Sequence, residues 1–322
     1  MTTNILLTDM KHYFLFIFLS ATIAMGGCTE GTNGAILDEG ELTEAELNLS
    51  VNAFAVDAQA ETRASIPSGT PEMETSEEKE IHNIWVFQYD AATKDLLIKP
   101  RYYTITDQAM LQDLPVYLKA GVPSIVYVVT NTGYDNWAND GTDASWQKFK
   151  NLEQLKKQTL PTAFPLRSID KVSIPMAGAS EEVEVTAGTT VTVPVTRMYA
   201  KLKVKVEMLK AEMELNNVNV RQIPNICRVE TLAGDGTGEP MNAVPFPAGT
   251  TFSSIAFAAS DLEENGDKEW AVFYVPENLQ GETEPQGGNK SDAAPSNALV
   301  VDVATEIGGE RYLYAAYPGG NS

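Results

Sequence analysis

Cysteine and histidine are nearly missing from this chain, two of each in 322 residues. That scarcity removes zinc knuckles, Cys-x-x-Cys redox pairs and disulfide frameworks from consideration. His12 lies at the edge of an early apolar run, and His82 stands beside a strand with no Cys or Ser partner motif, the usual setting of a surface or packing residue. Basic residues are also few: 23 Lys and Arg face 44 Asp and Glu, for a formal net charge of -21. A surface of that sign repels nucleic acid and anionic membrane. The early apolar run, Tyr13–Met25, has thirteen residues and falls short of the roughly 20 that a spanning helix needs.

What is present at the start is a signal. Lys11 and His12 precede the run, Gly26 and Gly27 leave room for a peptidase, and Cys28 supplies the thiol that takes a lipid. Residues 1–27 therefore read as a lipoprotein signal peptide, with Met1 to Asp9 as an over-long start ahead of Met10-Lys-His. One Lys and one Asp leave with the signal, so the exported chain keeps its charge of -21. With Cys28 acylated, Cys227 has no partner, and the protein is expected to be free of disulfides.

Residues 28–45 are acidic, Gly-rich and without hydrophobic period, the composition of a tether. The rest suits two domains of ordinary size, 46–188 and 189–322, with the boundary near Gly188. Strands dominate. Ile84–Tyr89 and Ile125–Val129 are continuous apolar runs, as in strands covered on both faces. Leu202–Val206 alternates strictly, with Lys201, Lys203 and Lys205 on a face expected to be solvated. Val183–Val185, Val191–Val193, Val218–Val220, Ala271–Val275, Leu299–Val303 and Tyr312–Tyr314 continue the series. The fold class is all-β, built of sandwiches rather than βαβ units. One segment departs from it: Trp146, Phe149, Leu152 and Leu155 recur at steps of three and predict one amphipathic helix on the first domain, with Ser145 or Asp143 as N-cap.

Three clusters invite chemistry and do not sustain it. Asp135–Asp143 is rich in Asx residues, but matching Gly141 to the EF-hand glycine leaves Ala138 where a ligand is needed, so an Asx-rich turn is expected. Gly234-Asp-Gly-Thr-Gly238 lacks the Lys-Ser/Thr of a phosphate loop and reads as a surface turn. Carboxylate pairs for glycoside hydrolysis leave no short trace among 44 acids. No nucleophile-base or metal constellation emerges, so neither an enzyme nor a cofactor is expected.

A sharper meaning attaches to Glu46-Leu-Asn-Leu-Ser-Val51. Leu47, Leu49 and Val51 alternate with Glu46, Asn48 and Ser50, so one face of a strand over 46–56 seeks a core. A Pro/Ser/Gly-rich connector follows, and Arg63-Ala64 at its start is an easy protease target. A cut there frees the strand.

These residues resemble the fimbrillins, two-domain lipoprotein pilins of Bacteroides-type fimbriae. The resemblance is carried by Cys28 and its preceding run, Thr62-Arg63-Ala64, Ile84–Asp90, Val126–Asn131, Ile174–Gly178, Val195–Lys201 and Phe273–Gly281. It implies two transthyretin-like β-sandwiches in tandem and assembly by strand exchange. By that resemblance, Arg63 is the expected cut of an Arg-specific surface protease, the strand bearing Leu47, Leu49 and Val51 is the one expected to be withdrawn, and a strand from another fimbrial subunit is expected to take its seat. Loss of residues 28–63 removes eight acids and one base, so -21 becomes -14.

The resemblance further implies a stalk, accessory or anchor pilin that helps cells adhere, located at the cell surface and held to the outer membrane through the lipid on Cys28. Fimbrillins usually continue beyond a Tyr-rich strand like Tyr312–Tyr317 and a turn like Gly319-Gly-Asn321. The present sequence stops at Ser322, in that turn, which leaves an expected last strand of the second domain unaccounted for. An alternative is a tethered glycan-binding protein using Trp137, Trp146 or Trp270 as stacking platforms. Of these, only Trp137 falls in a polar loop.

Overall fold

Alternating and continuous apolar segments become sheet throughout the described part of a computed structural model, which covers residues 40–51, 77–133, 137–138, 145–161, 173–206, 211–230, 246–261, 263–264, 269–276 and 299–316. The first part holds β1 (Leu42–Val51), β2 (Asn83–Asp90), β3 (Arg101–Thr104), β4 (Leu114–Lys119), β5 (Pro123–Thr130), β6 (Thr159–Pro161), β7 (Met176–Ala179), β8 (Val183–Glu184) and β9 (Thr190–Arg197). The second holds β10 (Tyr199–Val206), β11 (Met213–Pro224), β12 (Ile226–Arg228), β13 (Phe252–Ala258), β14 (Glu263–Glu264), β15 (Glu269–Pro276), β16 (Val300–Ile307) and β17 (Glu310–Ala316). The fold is all-β, and the single short α-helix, α1 (Leu152–Lys156), is the only one among the described residues.

The first sheet runs β3-β2-β5-β7-β9-β1-β4, with β8 beside β5. It folds over on itself because β9 serves two neighbours. Val191 to Val195 lie against β1, while Thr196 and Arg197 lie against β7. Ala45, Leu47 and Leu49 of β1, Val116 of β4 and Val193 of β9 thereby meet Ile84, Val86, Val126 and Val128 of β2 and β5 in one buried cluster. The opposite faces of β2 and β5 are buried too. Trp85, Phe87, Tyr89, Tyr127 and Val129 join Trp146, Phe149, Leu152, Leu155, Tyr199 and Tyr274 in a second cluster, as the unbroken apolar runs implied. A third cluster lies between β13-β11-β16-β17 and β10-β15-β14, around Val218, Val220, Phe257 and Val275.

Several expectations are corrected. The tether does not reach residue 45, because Leu42 to Ala45 already pair with Lys119 to Val116 and Ala45 is fully buried. The change of sheet falls at Met198, not near Gly188, because β9 belongs to the first sheet and β10 to another. The one predicted helix is two pieces: a 3-10 turn at Ser145–Phe149 and α1. Asn151 separates them by taking an extended conformation and accepting the Glu153 N–H at 3.0 Å, so it is the N-cap of α1. The apolar stripe itself is buried as its spacing required. Lys201 is not solvated, as shown below. Most of the Asx-rich loop and all of Gly234–Gly238 lie outside the described residues.

Candidate functional site

The seat of β1 is built by strands that the chain brings in from far away. LTEAELNLSV contains no Gly or Pro and alternates cleanly, which suits an extended segment with one wet face. On one side β9 runs parallel to it, with Leu47 opposite Val191, Leu49 opposite Val193 and Val51 opposite Val195. On the other side β4 runs antiparallel, with Glu46 opposite Pro115 and Leu47 opposite Leu114. Leu47 is fully buried, Leu49 nearly so, and Val51 half-buried at the rim. The outer face carries carboxylates. Glu44 accepts the Tyr117 hydroxyl at 3.2 Å and Glu46 accepts the Thr190 hydroxyl at 3.3 Å.

Among the described residues β4 has β1 as its one ladder neighbour. It is tied down elsewhere by side chains. The Gln88 carboxamide, buried on β2, accepts the Lys119 N–H at 2.7 Å and donates to the Lys119 carbonyl at 2.9 Å and to Ser124 Oγ at 2.9 Å. The Tyr103 hydroxyl accepts the Tyr117 N–H at 3.4 Å, and burial raises the pKa of that phenol.

A second polar centre follows the undescribed segment 52–76. Glu78 is fully buried. Its Oε1 receives the Tyr274 hydroxyl at 2.5 Å and lies 2.8 Å from Lys201 Nζ, while its carbonyl accepts Nε and Nη2 of Arg197, each at 3.2 Å. Glu78 thus fastens β9, β10 and β15 together. Sequence reasoning passed over this carboxylate and assigned Lys201 to water; alternation along β10 reports only which face a lysine is on, not what covers that face. Asn131 is a third anchor, at φ 53°: its side chain accepts the His82 N–H at 2.8 Å and donates to the carbonyls of Glu80 and Ile174, each at 2.9 Å.

Of the residues singled out earlier, Leu47, Leu49 and Val51 are brought together on one strand in one core. Cys28, Arg63 and Ala64 lie outside the described residues. His82 is half exposed and sits 3.6 Å from Glu80, as a surface residue would. Trp146 is buried, and Trp137 packs edge-on against Phe87 and Phe149 at ring separations of 6.1 and 5.0 Å, so neither stands free as a stacking platform. The side chain of Trp270 is outside the described set. Among the described residues no cluster of three His, Cys, Asp or Glu side chains could hold a metal, and no helix is long and apolar enough to cross a membrane.

No protein-family model matches the chain, and a comparison with the curated proteins finds no match. Solved structures are similar in fold. The tip fimbrial protein Mfa3 from Porphyromonas gingivalis, with a C-terminal truncation, superposes with a TM-score of 0.50 at 14% identity, covering 87% of this chain and 83% of its own. A fimbrial assembly protein from Parabacteroides distasonis gives 0.47 at 14% identity, covering 86% of each chain. The fimbrial anchor protein Mfa2 from P. gingivalis gives 0.43 at 12% identity, covering 86% and 82%. The chain has the fold of the fimbrillin-type fimbrial proteins.

Proposed function

We propose that this chain is a structural subunit of a cell-surface fimbria, a stalk, accessory or anchor pilin made of two transthyretin-like β-sandwiches. It is exported as a lipoprotein, held at the outer membrane through Cys28, and assembled by strand exchange after an Arg-specific surface protease cuts at Arg63-Ala64. Its partners are other fimbrial subunits, and nucleic acid is not among them.

The observation that carries this reading is the position of β1: a strand near the start of the exported chain, inserted between β9 and β4 with Ala45, Leu47 and Leu49 in the core. Burial of two leucines contributes about 3–6 kcal/mol, a large part of the roughly 5–15 kcal/mol that holds a domain folded. A cut between this strand and β2 leaves the strand held by noncovalent contacts alone. Once it leaves, β4 and β9 each lose a ladder neighbour, and an incoming strand with alternating apolar residues restores both the hydrogen bonds and the burial. Likeness in fold to Mfa3 supports the same reading.

The test is digestion of the purified precursor with a trypsin-like protease. Cleavage after Arg63 is expected, followed by loss of thermal stability on removal of the released segment and recovery on adding a peptide covering Leu47 to Val56. If the trimmed protein neither loses stability nor takes up the peptide, strand exchange at this seat is wrong.

A further inference from the structure

The seat of β1 has a closed end and an open one. From Leu42 to Leu47 the strand is flanked by β4, and from Glu46 to Val51 by β9, so Asn48 to Val51 have a ladder partner on one side only among the described residues. Ala45 lies toward the closed end, opposite Val116, and is fully buried, as are Val116, Leu118 and Val185 of the same cluster. Burial relaxes in the other direction: Leu47 is enclosed, Leu49 nearly so, and Val51 only half-buried.

The turn Thr186–Thr189 grips the backbone around Ala45 on the side away from β4. The Gly188 N–H donates to the Glu44 carbonyl at 3.2 Å, and the Glu46 N–H donates to the Thr189 carbonyl at 2.9 Å. That turn is itself braced, since Thr189 Oγ1 accepts the Thr186 N–H at 2.9 Å and the Thr186 carbonyl accepts the Thr189 N–H at 3.0 Å. A larger side chain at position 45 therefore meets packed walls, and hydrogen bonds on both sides keep the strand from stepping away from them. A close-packed interior resists extra methylene groups. Leu47 and Leu49 make the opposite demand, because a small residue at either position leaves an empty space.

We infer that the seat selects its incoming strand by size as well as by alternation. The partner it fits is an extended segment with glycine or alanine at the position of Ala45, leucine-sized side chains two and four residues later, and any apolar residue two beyond those, running parallel to β9 and antiparallel to β4. An alternating strand whose first buried residue is bulky binds less well, although it offers more apolar area. This selection rests on strand exchange at the seat and specifies the pattern of the strand exchanged.

The test is competition at the exported chain cut after Arg63, with a fluorescent peptide covering Leu42 to Val56 displaced by unlabelled variants of itself. Ala45→Leu in the competitor is expected to weaken uptake about tenfold or more, whereas hydrophobicity alone predicts a gain. Leu47→Ala is expected to weaken it about a hundredfold, and Val51→Leu, at the open rim, to change it by less than about threefold. In the uncut chain, Ala45→Leu is expected to lower the melting temperature and Val51→Leu to leave it nearly unchanged. Uptake of the Ala45→Leu peptide as tight as that of the unmodified one or tighter, an equal loss from Val51→Leu, or an uncut Ala45→Leu chain of unaltered stability each overturns selection by size while leaving strand exchange standing. No uptake of the unmodified peptide overturns strand exchange and the selection with it.

Discussion

Gln88 and Lys119 are joined in both directions, the side-chain amide of one pairing with the backbone N–H and C=O of the other at 2.7 and 2.9 Å, as one strand pairs with the next. Gln88→Ala removes both of these contacts with the half-buried Lys119 backbone, at a cost of about 1–3 kcal/mol. A urea melt should show that loss, and hydrogen exchange should show faster opening at Lys119 than at Leu114, the far end of β4.

Glu78→Ala leaves Lys201, whose side chain is only 16% exposed, and the Tyr274 hydroxyl without their shared carboxylate. Breaking a buried pair from one side costs about 3–5 kcal/mol. Glu78→Gln keeps the hydrogen-bond acceptor and should lose less. The ordering, measured by thermal denaturation, is the check; equal losses would mean that charge is irrelevant at this junction.

Gly178 lets β7 lie against β9, since a Cβ there would stand 1.8 Å from the Pro194 carbonyl oxygen. Backbone cannot yield as a flexible side chain does. Gly178→Ala is expected to destabilise by about 1–3 kcal/mol or more, and Gly121→Ala, where nothing lies within 4 Å but φ is +71°, should cost only the backbone strain.

Burial pushes the phenols of Tyr89 and Tyr127 far above the ordinary tyrosine value of 10.0. Their neutral forms are favoured by the fold, so this stability is complete below pH 10 and declines as pH rises beyond it. Absorbance titration of the native protein should show fewer than its 12 tyrosines ionising reversibly, the remainder appearing only with unfolding.

Legibility followed the reach of the forces involved. Periodicity is local, and it identified β2, β5, β10 and the apolar stripe of Trp146, Phe149, Leu152 and Leu155. β4 went unseen although Leu114, Val116 and Leu118 alternate, because Pro115 argues against a central strand; as an edge strand β4 tolerates it. The buried role of Glu78 depends on residues more than 100 positions away, such as Arg197 and Tyr274. No local pattern records such a meeting. The candidate strand was legible for the opposite reason, since Leu47 and Leu49 advertise a buried face within five residues.

β1 has a parallel neighbour on one side and an antiparallel one on the other. The two margins of its seat are therefore different, and a replacement laid in backwards would exchange them, running antiparallel to β9 and parallel to β4 in ladders of the other pattern. Under the strand exchange proposed above, molecules linked through such a seat would form a vector: every unit would point the same way, and the assembly would have distinct leading and trailing ends.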